Sequence, residues 1–152
     1  MMETTITLST TRILEEIYAL SALGNYTKGD KECIALLTPD NRKALVKVVG
    51  EAIAATAIRL IGVITDIDFG TDKADEVDLV RLTLKGRAAD CAMAVRRAIE
   101  GAVTYRTLGN IYMESSPRQT EIYDERFRQS VESARYLATV ADDIPDLTAC
   151  YI

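Results

Sequence analysis

Two hydrophobic periods alternate along the chain. In STTRILEEIYALSAL, Ile13, Ile17 and Leu20 recur at i, i+4 and i+7 and mark one face of a helix, with Thr10 or Thr11 as its N-cap and an end near Gly24. GNYTKGDKE is rich in turn formers and reads as a loop, leading into a short helical turn over residues 33–37. Thr38-Pro39-Asp40 is a start signal. Threonine caps, proline fits the first helical position and aspartate complements the dipole. Leu45, Val48, Val49, Ala52, Ile53 and Ala55 or Thr56 then carry a second helix toward Gly62. Gly50 inside it costs about 1 kcal/mol relative to alanine unless another backbone packs there.

After Gly62 the period falls to two. Val63, Thr65, Ile67 and Phe69 share one face while Asp66 and Asp68 point the other way. Further on, Val80, Leu82 and Leu84 oppose Arg81 and Thr83, and GTDKADE between the runs supplies turn chemistry. The pattern predicts a β-hairpin over residues 63–84. The helical period returns from Gly86: Ala88, Ala92, Val95, Ile99, Ala102 and Val103 face inward, and Arg97, Glu100, Thr104 and Thr107 outward. So small an inner face suits a central helix, since axes can then approach toward about 8 Å. Ser116-Pro117-Arg118-Gln119 combines a capping box with proline at the first helical position. It opens a last helix with Tyr123, Phe127, Val131, Ala134, Leu137 or Ala138 and Ala141 inward, ending around Asp142. The expected fold is mainly α, a bundle of three to four helices with an inserted β-hairpin. Residues 1–141 form one domain and residues 142–152 an extended tail.

Composition narrows the chemistry. With 48% hydrophobic and 27% charged residues the chain is too apolar for intrinsic disorder, and without tryptophan its core must come from Ala, Leu, Ile and Val. The net charge is −5, and residues 66–84 hold six acids against Lys73 and Arg81, so most of the excess is local. That balance lacks the basic footprint of sequence-independent nucleic-acid binding. The start of the chain has no secretory pattern, and the most apolar run, residues 52–67, is interrupted by Arg59 and Asp66. The reading is a soluble protein made in the cytoplasm, with no membrane partner. Cys33, Cys91 and Cys150 form no CxxC pair and there is no histidine, which disfavours disulfide frameworks and zinc and excludes histidine-based triads.

The acidic stretch does not fit a calcium loop. Counted from Asp66, position 5 is Gly70 and position 6 is Thr71, where an EF-hand needs an oxygen ligand and then glycine. Asp66 and Asp68 on an exposed strand also lack the burial that tunes a catalytic carboxylate. Arg96 and Arg97, with Arg126, Arg128 and Arg135, are read as helix-surface charges pairing with Glu100, Glu125 or Glu132. Tyr105, Tyr112, Tyr123 and Tyr136 are read as core edges and interface anchors. The residues thus point to a protein that works by contact, not an enzyme, with no cofactor and no metal. Its candidate interface is Asp66, Asp68, Asp72, Asp75, Glu76, Asp78 and Arg81, together with Tyr151 and Ile152 of the tail.

The order of elements adds a resemblance. RILEEIYALSAL, then LLTPDNRKALVKVVGEA, then a period-two hairpin ending in VDLVRLTL, then YRTLGNIYMESSPRQTEIYDERFRQSVESARYLA, resembles small phage and prophage head–tail connector proteins of Bacteroides-like genomes, over about residues 10–141. The chain departs from that pattern in YRTLGNIYM, where a tryptophan-containing junction is expected, and in acidic DDIPD, where a basic end is expected. The resemblance implies a virion structural protein of the neck, present in the host cytoplasm during assembly. It implies a ring of identical subunits, twelvefold in one arrangement, seated beneath the portal protein and joined to tail or further neck proteins. Acidic residues lining such a channel would repel phosphates, so that DNA passes without specific binding. The alternative is a non-viral bacterial regulatory or adaptor protein that binds one protein partner through its acidic loop.

Overall fold

The computed structural model describes residues 3–28, 37–68, 79–85, 91–113 and 115–143. In chain order these form β1 (Glu3–Ser9), α1 (Thr10–Lys28), a 3-10 turn (Pro39–Asn41), α2 (Arg42–Arg59), β2 (Ile64–Asp68), β3 (Leu79–Lys85), α3 (Ala92–Ile111) and α4 (Pro117–Asp143). Among the described residues, four helices and a small antiparallel sheet make a mainly α fold carrying the expected hairpin.

The hairpin is not a free two-stranded projection. The sheet order is β1-β3-β2, so β3 is central and pairs antiparallel with both neighbours. β1, a strand the sequence reading passed over, runs in unbroken register from Glu3↔Lys85 to Ser9↔Leu79. β2 breaks its register between Ile64 and Asp66, and this bulge corrects the expected face pattern. Ile64 turns inward beside the buried Val63, Thr65 is exposed, and Ile67 returns toward the core. Ile6, Leu8, Ile64, Leu82 and Leu84 are buried and form the apolar face of the sheet.

That face packs with the helices around α3, which contacts α4, α2, α1 and β1. α3 is therefore central, as its small residues imply. The expected outward positions Thr104 and Thr107 are correspondingly buried. Their hydroxyls donate to the carbonyls of Glu100 (2.9 Å) and Val103 (2.8 Å), so neither is stranded. Close approach to α4 depends on small residues on both sides. Ala102 and Ala134 are fully buried, and a Cβ on Gly109 would lie 3.0 Å from Asp124 Oδ1.

Local signals place most helix ends. Ser9 accepts the Arg12 N–H (3.2 Å) and caps α1, one residue before the expected threonines. The helix runs through Gly24 to Lys28, because one glycine costs only about 1 kcal/mol and does not stop a helix already propagating. The Thr38 N–H donates to Asn41 Oδ1 (3.0 Å), and α2 follows directly. Gly50 has nothing within 4 Å of a built Cβ, so no close backbone explains it. α4 starts at Pro117, as the proline predicts, and buries Tyr123, Phe127, Val131, Ala134 and Ala138. The expected turn over residues 33–36, Ala88 of α3's predicted face and the tail beyond Asp143 lie outside the described residues.

Candidate interface

The strand register sets two rows of opposed positions across the sheet. Thr5, Thr83 and Asp66 form one; Thr7, Arg81 and Asp68 form the other. Asp68 and Arg81 are thus cross-strand partners by register, and Asp66 and Asp68 are both exposed. Of the expected interface, this sheet brings together Asp66, Asp68 and Arg81. Asp72, Asp75, Glu76, Asp78, Tyr151 and Ile152 lie outside the described residues.

The two sheet edges differ in how they are finished. β2 is short and bulged and carries two carboxylates, one of which, Asp66, accepts the Ile67 N–H at 2.9 Å. Each of these features discourages a further strand from adding. β1 carries none of them after Glu3: TTITLS is uncharged, rich in β-branched residues and unbulged, and among the described residues it pairs with β3 alone. The Thr-Ile-Thr-Leu alternation was the available sequence signal, hidden by its position against the start of α1.

Apolar surface gathers where α2 turns into β2. Ile58 and Ile61 are 68% and 75% exposed on either side of the helix end. Arg135 of α4 closes that end by donating to the Arg59 carbonyl (2.6 Å), while Arg59 and Arg106 lie 5.9 and 5.4 Å from the centroid of the Phe127 ring. Met93 of α3, Met113 in the turn after it and Tyr136 of α4 are exposed elsewhere.

Between the first turns of α1 and the middle of α3 lies an open cleft of about 230 Å³, lined by residues that include Arg12, Glu16, Arg97, Glu100 and Tyr105. Glu100, whose side chain is 13% exposed, meets Arg12 Nη1 at 3.4 Å and Arg96 Nε at 3.6 Å. Burial raises the Glu100 carboxyl above its ordinary range, and the charges of Arg12, Arg96 and Arg97 work against that rise. The arrangement ties α1 to α3. On α4, Arg128 pairs with both Glu125 and Glu132, and its hydrogen bond holds the Glu125 carboxyl below the usual range. The Arg96 and Arg128 pairs are those read from the sequence; the Arg12 pair is not, and Arg126 lies over the Tyr105 and Tyr123 rings while Arg135 donates to the Arg59 carbonyl.

The tyrosines divide. Tyr123 stacks between Tyr105 and Tyr112, with centroids 6.2 and 6.1 Å away, and Arg126 lies 5.8 Å from the Tyr105 centroid. Tyr112 is buried, its hydroxyl donating to Ser21 Oγ at 3.0 Å, and desolvation raises the ionisation of both Tyr112 and Tyr123 above the ordinary value of 10.0. Tyr136 alone of the four is an exposed anchor candidate.

Among the described residues, no three histidine, cysteine or acidic side chains gather as a metal-binding group, and no helix is long and apolar enough to cross a membrane. Compared with protein-family models, curated proteins and solved structures, the chain matches none.

Proposed function

We propose that the chain is a virion structural protein, a head–tail connector subunit that assembles as a ring beneath the portal and joins the capsid to the tail. The observation that carries this reading is the exposed pair Ile58 and Ile61 at the α2–β2 corner, next to a sheet face bearing Asp66 and Asp68. Two β-branched aliphatic side chains left in water beside a charged strand describe the centre and rim of a contact surface. The resemblance of the element order to connectors supplies the kind of assembly, and a ring needs two unlike surfaces on every subunit. In this reading the apolar corner meets a neighbour or the portal, and the acidic hairpin stays on the wet side, toward the channel.

The test is to locate the chain. Particles purified from its source, labelled with gold-conjugated antibody against the chain and imaged in negative stain, should carry label at the junction of head and tail. Label-free particles, with the chain recovered instead on a single cytoplasmic protein, would replace this reading with that of a regulatory adaptor.

A further inference from the structure

We propose that the apolar α2–β2 corner, taken as a contact surface in the connector reading on which this step rests, binds a segment of a different protein that carries carboxylates beside aliphatic side chains. Arg59 and Arg106 are the groups that hold those carboxylates.

The fold leaves positive charge uncompensated at this corner. The guanidinium carbons of Arg59 and Arg106 lie 5.9 and 5.4 Å from the centroid of one ring, Phe127. Among the described residues neither guanidinium makes a hydrogen bond or an ion pair, and Arg106 Nε is buried with no acceptor. Arg12, Arg96 and Arg128, by contrast, each face a carboxylate. A buried donor without an acceptor is costly, and folded proteins leave few. In a chain of net charge −5, two guanidiniums drawn to one ring with no acid between them mark a place for a carboxylate from outside. Both are held ready for it. The ring face positions them, and Arg135 pins α4 to the end of α2 through the Arg59 carbonyl at 2.6 Å.

Guanidinium forks match phosphate as well as carboxylate, and the surroundings decide between them. Ile58 and Ile61 are exposed at the same end of α2. They gain nothing from a phosphate ion, but an aliphatic side chain laid over them removes apolar surface from water. Arginine beside exposed aliphatic surface matches the core of a protein interface. A long polyanion such as nucleic acid would be repelled by Asp66 and Asp68, exposed on the adjoining β2, whereas a polypeptide can place its carboxylates singly. A copy of this chain related by a two-fold axis at the corner would set Arg59 against Arg59. Charge complementarity therefore selects an acidic and aliphatic segment of another protein.

The test uses the full-length chain labelled with nitrogen-15, its arginine Nε–Hε signals, and the end-blocked peptide Leu-Glu-Glu-Leu-Leu-Glu-Glu-Leu as probe. The peptide should shift the Arg59 and Arg106 signals. Its Kd should rise about tenfold in Arg59→Gln, in Ile58→Ser, and for a peptide whose glutamates are replaced by glutamines. Arg118→Gln, at the start of α4, should leave it unchanged. Circular dichroism confirms that the variants fold, and Arg59→Gln, at an exposed position, keeps the test independent of how Arg106 packs. Absence of peptide binding overturns the proposal, as does a response of the same two signals to inorganic phosphate or to phosphatidylglycerol vesicles at lower concentration than to the peptide. A shift of those signals on Asp72→Asn, Asp75→Asn and Glu76→Gln without any peptide would make the chain's own acidic stretch the occupant. Self-association abolished by Arg59→Gln would make it a second copy; either result refutes a different protein. Particles labelled at the neck with no peptide binding would sink this partner alone, and peptide binding with unlabelled particles would sink the connector reading alone.

Discussion

Ser21 is a small buried residue on which three parts of the molecule depend. Its hydroxyl oxygen accepts the Tyr112 hydroxyl at 3.0 Å and the Leu37 N–H at 2.9 Å, which joins α1 to the end of α3 and to the segment entering α2. Ser21→Ala removes both bonds at once. The Tyr112 bond is worth about 1 kcal/mol net, and stranding the buried Leu37 donor costs about 1–3 kcal/mol, so the expected loss is about 2–4 kcal/mol. For a chain of this length that corresponds to a fall in Tm of about 4–16 °C. Tyr112→Phe keeps the ring packed on Tyr123 and loses only the hydroxyl, at about 1 kcal/mol. If the two side chains act through one bond, the double variant costs about 1 kcal/mol less than the sum of the singles. Urea unfolding followed by far-UV circular dichroism measures all three. A Ser21→Ala cost below about 0.5 kcal/mol, or strict additivity, would show that this junction does not hold the bundle together.

Other expectations are simpler. Gly50→Ala should stabilise α2 by about 0.5–1 kcal/mol, because the position is mid-helix with open space where the methyl would sit; a higher urea midpoint at unchanged m-value checks it. Ala102→Leu should cost about 1–3 kcal/mol by forcing α3 from its neighbours, visible as a lower thermal midpoint. Tyr112 and Tyr123 ionise above 10.0 in the fold because burial disfavours the phenolate, so the unfolded chain loses those protons first as pH rises. Their stabilisation is complete below pH 10.0 and disappears as pH climbs through the raised values; Tyr112→Phe should shallow the alkaline decline in a series of urea curves.

The helices were legible because their signals are local. Pro117 sets the start of α4, and the 3.6-residue stripe from Tyr123 to Ala138 sets its buried face. The strands at residues 64–68 and 79–85 were legible from period-two patterning. β1 was not, because seven residues at the start of the chain look like a leader to a helix until their partner, more than seventy positions later, is known. Thr104 and Thr107 misled for a different reason: polarity argues for the surface, but each hydroxyl is satisfied by a carbonyl of its own helix, and the central place of α3 decides the rest. The bulge after Ile64 depends on the β3 register and leaves no sequence mark. Of the surface around the α2–β2 corner, the exposed positions of Asp66 and Asp68 were legible from the period-two pattern and the apolar corner was not, since Ile58 and Ile61 continue a hydrophobic run whose exposure only the tertiary turn determines.

The central position of β3 also orders events in time. Its residues follow the first half of the chain, so during synthesis the amino-terminal strand waits with no ladder to join while α1 and α2 are already able to coil. Closing so long a loop before any sheet contact can repay it should make refolding slower than that of an all-helical bundle of equal length.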